Sequence, residues 1–389
     1  MMKQVNHRLV FLAACLGMLL FGIVMITLGS TLPELISRYN LTQIQAGSMF
    51  SILPMGILAG SLIFGPVADR YGYQGLLIVN ALLILIGLES IAYGNHPAWL
   101  MLSVFIIGLG GGVLNGATNA VVADISENTK GAQLSLLGVF YGVGAMTMPT
   151  LINILKNHLS PQQIISWVGW SILLVVMVFV VIRFPQPKQL QGFSFGQAMP
   201  LLRSKSLLVG GFILFFASGI EGISNNWLTT FLENHKTLVR EQALFSLSAL
   251  VFSLTIARII LGKVLKVYSS SKVFMLSLVC QGIGVGFLFF GSGYAVLMTG
   301  VVFLGLGMSA IFPITLAYVA ELFAQWSGTA FSMVLVLALT GNMLINYITG
   351  FLIQGNGVAS LIAVQAICIL SMILLLFIFL RLNQTKLKI

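Results

Sequence analysis

Twelve apolar stretches, at 9–32, 43–66, 75–94, 98–123, 132–155, 163–183, 206–232, 242–262, 273–292, 295–320, 328–352 and 358–381, leave this chain few places to put a charge. Each is near the ~20 residues that carry a helix across a bilayer core about 30 Å thick. Inside hydrocarbon every backbone amide must bond within its own segment, so the stretches have to be helices. Only 7% of the residues are charged and 58% are apolar, against about a quarter charged in soluble domains. A water-surrounded core cannot absorb that surface. The 41 glycines agree, because small residues let membrane helices approach closely where lipid gives no hydrophobic drive to associate. The first stretch follows a basic start but is too long for a secretory signal and lacks a small-residue cleavage site, so we expect it to be a retained span. The expected class is an all-α membrane protein.

An even number of spans puts both termini on one side. With that side cytoplasmic, Lys3, Arg8, Arg70, Lys130, Arg183, Lys188, Arg203, Lys205, Lys263, Lys266, Lys272, Arg381, Lys386 and Lys388 lie inside, and only Arg38, Lys156, Lys236 and Arg240 lie outside, which fixes the expected orientation. Arg258 falls one turn before the cytoplasmic end of its span, within snorkelling reach. The longest interruption, 184–205, holds three prolines and four glutamines and is expected to link an N-terminal bundle at 1–183 to a C-terminal bundle at 206–389. The halves repeat. GLGGGVLNGATNAVVAD at 108–124 lies over GLGMSAIFPITLAYVAE at 305–321 with an offset of 197, pairing Gly108 with Gly305, Gly110 with Gly307 and Asp124 with Glu321, and the same offset carries Gly65 onto Gly262 and Gly131 onto Gly328. We therefore expect two parallel six-helix repeats, with a substrate site between them.

Several chemistries are excluded or disfavoured. The net charge of +10 is spread between apolar stretches rather than gathered in a patch, so no nucleic-acid partner is expected. Cys15, Cys280 and Cys368 lie far apart within apolar stretches and offer no metal spacing. His96, His158 and His235 fall in outer loops and His7 in the cytoplasm, apart from any acid in a shared span. No glycine-rich phosphate loop followed by GK[ST] is present. Neither metal nor cofactor is expected. A membrane enzyme would need clustered His, Asp, Ser or Cys near one face, and the short loops lack them. Asn40-Leu41-Thr42 is a glycosylation sequon in an outer loop, without meaning if the source is a bacterium, as the compact loops suggest.

The hairpin GPVADRYGYQG at 65–75 resembles the signature of the major facilitator superfamily at Gly65, Asp69, Arg70 and Gly72. Physically, Gly65 allows close helix contact, Asp69 can cap a neighbouring helix or pair with a cation, and Gly72 permits a tight turn. The resemblance implies the two-bundle fold of that family and a hairpin that latches the inner face without touching substrate. Tyr73 and Gln74 stand where the family has basic residues, and the second copy has Lys266 at the Asp69 position. Asp124, Glu127 and Glu321, at cytoplasmic helix ends, are expected to form gating ion pairs. Four segments, carrying Glu221 with Trp227, Ser309 with Phe312 and Pro313, Gly142 with Gly144 and Pro149, and Asn119, are similar to the fucose/galactose and glucose/galactose proton symporters of that superfamily. Where that group has a span-four glutamate, this chain has Asn115, and span one has no acid before Glu34.

Glu221 lies sixteen residues after Lys205 and twelve before Glu233, which at about 1.5 Å per residue is near mid-membrane. An ionisable group there costs ~2.5–3.5 kcal/mol on insertion scales, so it must face the bundle interior or stay protonated. Ser218, Gly222, Asn225 and Thr229 share its stripe. Two roles fit: a carboxyl whose affinity for protons changes as its surroundings dry and wet, or a neutral, hydrogen-bonded packing residue. Glu89 is a second, weaker candidate. Asn115 with Asn119, and Asn342 with Asn346, are i, i+4 pairs. With Asn225 and Asn226 they could serve an uncharged polyhydroxylated ligand, or they could glue helices together. Trp227 could offer a ring face to a sugar or sit at the interface.

The expected function is secondary transport by alternating access: a small polar solute, foremost a monosaccharide, moved with a proton through Glu221 by a monomer in the bacterial inner membrane. Seventeen Met and twenty-seven Phe keep open the alternative of an efflux antiporter for amphiphilic compounds. A multi-pass enzyme and a non-transporting sensor are remoter alternatives.

Overall fold

The computed structural model describes residues 6–39, 43–94, 96–126, 129–155, 158–186, 201 and 203–383. The sequon, Glu127, most of the linker, Lys3, Lys156, Lys188, Lys386 and Lys388 lie outside the described residues. Among the described residues the regular structure is helical and includes no strand. The helices are α1 His7–Tyr39, α2 Gln43–Tyr71, α3 Tyr73–Tyr93, α4 Pro97–Ile125, α5 Lys130–Leu155, α6 Pro161–Val181, α7 Lys205–Asn234, α8 Arg240–Val267, α9 Ser270–Phe290, α10 Tyr294–Leu322, α11 Ser327–Asn356 and α12 Ser360–Leu382. Each contains a stretch long and apolar enough to cross a membrane. With these twelve helices among the described residues, the chain is a multi-pass membrane protein.

Most helices outrun the apolar stretches at their polar ends, because helix hydrogen bonding does not stop where hydrocarbon does. What stops them is local chemistry. Gly72 takes φ 82°, a conformation open to glycine, and turns the chain sharply from α2 into α3. Ser160 opens α6 through a capping box: its Oγ accepts from Gln163 N at 3.3 Å, and Gln163 Oε1 accepts from Ser160 N at 2.9 Å. His96 opens α4 in the same sense, its Nδ1 accepting from Ala98 N ahead of Pro97.

Contacts gather the chain into two compact units: Met1–Glu127, Leu137–Gln197 and Ala324–Ser332 in the first, Asn128–Leu136, Ala198–Phe323 and Met333–Ile389 in the second. Fully buried aromatics anchor each, Phe64 and Phe179 in the first, Phe231, Phe274 and Phe379 in the second.

Internally the two units repeat each other at the offset of 197. A Cβ on Gly108 would stand 2.5 Å from Leu53 O, and one on Gly305 would stand 2.5 Å from Leu250 O. Gly110 meets Asn80 O of α3 as Gly307 meets Ser277 O of α9. Here α4 and α10 touch neighbouring backbones, an approach any side chain would block. Ser135 Oγ donates to Arg258 O at 2.7 Å in the second unit, and Ser332 Oγ donates to Ser61 O in the first. At the other ends, Arg38 of α1 donates to the carbonyls of Ala92 and Gly94 that close α3, and Lys236, just past α7, donates to those of Phe289 and Gly291 that close α9. The acceptors again lie 197 apart.

Candidate functional site

On α7, Glu221 is half-buried, Asn225 is exposed and Thr229 is half-buried. Among the described residues none of these three side chains has a hydrogen-bond partner. The spacing i, i+4, i+8 puts them on one face, so a membrane helix presents a carboxyl, an amide and a hydroxyl that its own unit leaves unanswered.

One edge of that face is fixed by α11. Asn342 Nδ2 donates to Ser218 O at 2.9 Å, Asn346 Nδ2 donates to Asn342 O at 2.9 Å, and Asn226 Nδ2 donates to Asn346 Oδ1 at 2.9 Å. This ladder runs over Gly222, where a Cβ would lie 2.5 Å from the amide nitrogens of both Asn342 and Asn346. Asn342, Asn346 and Asn226 thus join α7 to α11 through their amides, and Asn226 is exposed. Trp227 lays its indole on α11 as well, 3.3 Å from where Gly350 would carry a Cβ, and packs against the core of the second unit. That contact is a third possibility beside the sugar platform and the interface belt.

In the first unit, Asn115 and Asn119 of α4 are buried, and Asn119 Nδ2 donates to Asn115 O at 2.8 Å and to Asn115 Oδ1 at 3.1 Å. The bonding is internal to the pair, like that of Asn346 to Asn342. Glu89 of α3 is half-buried and accepts from Ser166 Oγ of α6 at 2.8 Å, a tie that composition and spacing did not reveal.

At the α2–α3 turn, Asp69 is buried and accepts from Thr329 N at 2.9 Å, Thr329 Oγ1 at 2.6 Å and Gly328 N at 3.3 Å. It thus caps the first turn of α11, where unpaired N–H groups and the helix dipole favour an anion. Gly65 gives α11 room: its Cβ would fall 2.6 Å from Gly328 O. Arg70 is exposed, its guanidinium 5.0 Å from the centre of the Tyr71 ring. Asp124 accepts from Tyr73 Oη at 2.6 Å and from Ser327 Oγ at 2.7 Å, so hydroxyls serve it in addition to any cation. Gln74, the other departure from the signature, donates to Phe179 O and Val180 O at the end of α6. Glu321 is exposed at the end of α10, and Lys266, at the Asp69 position of the second repeat, is exposed too. Among the described residues no three His, Cys, Asp or Glu side chains gather as metal ligands.

Residues 14–263 match the family model described as Major Facilitator Superfamily. The glucose/mannose transporter GlcP of Bacillus subtilis is 25% identical over 349 residues, covering 85% of this chain and 84% of that protein. Among solved structures, the E. coli fucose:proton symporter FucP aligns with a TM-score of 0.81 at 16% identity over 95% of this chain and 98% of FucP. The proton:xylose symporter XylE aligns with a TM-score of 0.80 at 12% identity, over 96% of this chain and 95% of XylE.

Proposed function

The chain belongs to the major facilitator superfamily and is a membrane transporter rather than an enzyme, and from that premise we propose that it carries a monosaccharide together with a proton. The observation that carries the reading is the α7 face of Glu221, Asn225 and Thr229, polar and without partners among the described residues, in a helix apolar enough to span the bilayer. A carboxyl in that position binds a proton when its surroundings dry and releases it when they wet, and the neighbouring amide and hydroxyl suit a ligand rich in hydroxyls. The likeness to a glucose/mannose transporter, and to sugar:proton symporters in fold, supports the same class of cargo.

In this reading the two six-helix halves, 1–183 and 206–389 joined by 184–205, alternate access to the solute, with both termini cytoplasmic in a bacterial inner membrane and the monomer as the working unit. Asn115, Asn119, Asn225, Asn226 and Trp227 contribute to the ligand site, with Asn342 and Asn346 holding α7 in place beside it. Gly65, Asp69, Arg70, Gly72, Asp124 and Glu321 form the cytoplasmic gate. Asp69's bonds to the first turn of α11 are of the kind that such a cycle makes and breaks.

Proteoliposomes carrying the purified chain should accumulate radiolabelled glucose, mannose, galactose, fucose or xylose faster under an inward proton gradient than without one. Failure of every sugar, beside gradient-dependent movement of a cationic dye, would replace this reading with efflux of amphiphilic compounds.

A further inference from the structure

The second unit buries two glutamines with polar atoms that the described residues leave unanswered. Gln281 of α9 has no exposed surface, and neither its Nε2 nor its Oε1 has a hydrogen-bond partner among the described residues. Gln365 of α12, equally buried, donates through Nε2 to Ser224 Oγ of α7 at 3.0 Å, while its Oε1 is unpartnered. The stem of Gln281 is pressed against α10, its Cγ 2.5 Å from where Gly307 would carry a Cβ. These amides cannot turn outward to the headgroups.

The first repeat shows what this region looks like without them. At the positions 197 earlier it carries Ile84 and Val168, both buried. The rest of the local pattern is kept: Thr27 Oγ1 donates to Ile23 O at 2.7 Å as Ser224 Oγ donates to Ile220 O at 2.6 Å. The fold therefore accepts apolar side chains at both places, and the glutamines are an addition made in the second repeat alone. An amide in the interior of a membrane protein that bonds to nothing forfeits its hydration without return.

We propose that the second unit holds internal water at Gln281 and Gln365. Gln281 presents both a donor and an acceptor, and Gln365 an acceptor. Water matches both kinds, whereas a cation would answer the oxygens and leave Gln281 Nε2 unpaired. Buried waters occupy sites of this sort, bonded to polar groups the protein cannot satisfy itself. Ser224, which takes the Gln365 amide, follows Glu221 by three residues on α7, about one helical turn. The site stands whether or not Glu221 carries protons.

Two buried cysteines make the test. Cys368 follows Gln365 by three residues on α12 and is 2% exposed, and Cys15 is 1% exposed in the first unit. In X-ray radiolytic labelling of the full chain in nanodiscs, bulk radicals reach neither sulfur, but bound water ionised in place oxidises what it touches. Cys368 should label several-fold faster than Cys15. In Gln281→Ile and Gln365→Val, the residues of the first repeat, Cys368 should fall to the rate of Cys15 while the melting temperature is kept or raised. Equal rates for the two cysteines in the unaltered chain would overturn the proposal, a comparison that needs no variant to fold. So would a fast Cys368 that folded variants leave unchanged.

Discussion

Glu221 and Asn342 are both polar side chains in membrane helices, yet they answer to different demands. Asn342 has its bond, to Ser218 O, and with Asn346 and Asn226 it spends its polarity on holding two helices together. Glu221 has no such partner among the described residues, which is why we propose its carboxyl for exchange with proton and solute. Glu221→Gln should leave sugar counterflow between equal pools intact and abolish accumulation driven by a proton gradient; both are measured in the same proteoliposomes, and accumulation that survives would move the proton elsewhere. Gly222→Ala tests the other demand. Its methyl would arrive 2.5 Å from the amide nitrogens of Asn342 and Asn346, and overpacking of this kind costs ~1–3 kcal/mol. Thermal unfolding in detergent should show that loss, whereas Thr229→Ala on the open face should be close to neutral. The stripe around Glu221 was legible in the sequence because i, i+4 spacing is a local property. The bonds of Asn342 and Asn346 to α7 were not, since their acceptor and donor lie more than a hundred residues away and an amide pair reads the same until the neighbour is placed. Gln281 and Gln365 passed unnoticed for a related reason: each is a lone polar residue, and only burial makes it costly.

At the scale of elements, a few helix ends carry charged groups set against terminal carbonyls and amides. Arg38 and Lys236 do this for α3 and α9, and each serves two carbonyls that have no partner within the helix. Replacing either by Gln should cost about 1 kcal/mol, which corresponds to roughly fivefold faster local opening. Hydrogen exchange would register it in the last turn of α3 for Arg38→Gln and in the last turn of α9 for Lys236→Gln. Each effect should be confined to its own unit, and the two should add in the double variant. Both cations were read from the sequence only as charges on the outer side, because their acceptors lie more than fifty residues away. Asp69 was more legible, since a carboxylate has few uses at a helix hairpin beyond capping and ion pairing, and here it caps α11. Asp69→Ala should lower stability by ~0.5–2 kcal/mol, and Asp69→Asn, which keeps an acceptor, by less.

For the whole molecule, the bilayer is what made the architecture readable. A fixed hydrocarbon thickness demands helices of about one length, so twelve apolar stretches became twelve helices with little room for another outcome. The offset of 197 survives in packing because close backbone contacts such as those at Gly108 and Gly305 tolerate no side chain. Which segments fall in which unit was not legible: 128–136 groups with the second unit and 324–332 with the first, a matter of contact and not of pattern. Orientation follows from charge alone, and so it can be tested alone. Lys and Arg resist translocation, and in the proposed topology fourteen of the nineteen fall on the side that holds the termini. In a chain with its three cysteines replaced by alanine, Ser160→Cys before α6 and Tyr268→Cys after α8 occupy loops on opposite sides of the membrane in this scheme. A membrane-impermeant maleimide added to intact cells should label the first and spare the second, and inverted vesicles should reverse the pattern. The opposite result would place the capped first turn of α11 outside the cell and the Arg38 and Lys236 ends inside, and the gate proposed at Asp69 would then control the outer mouth.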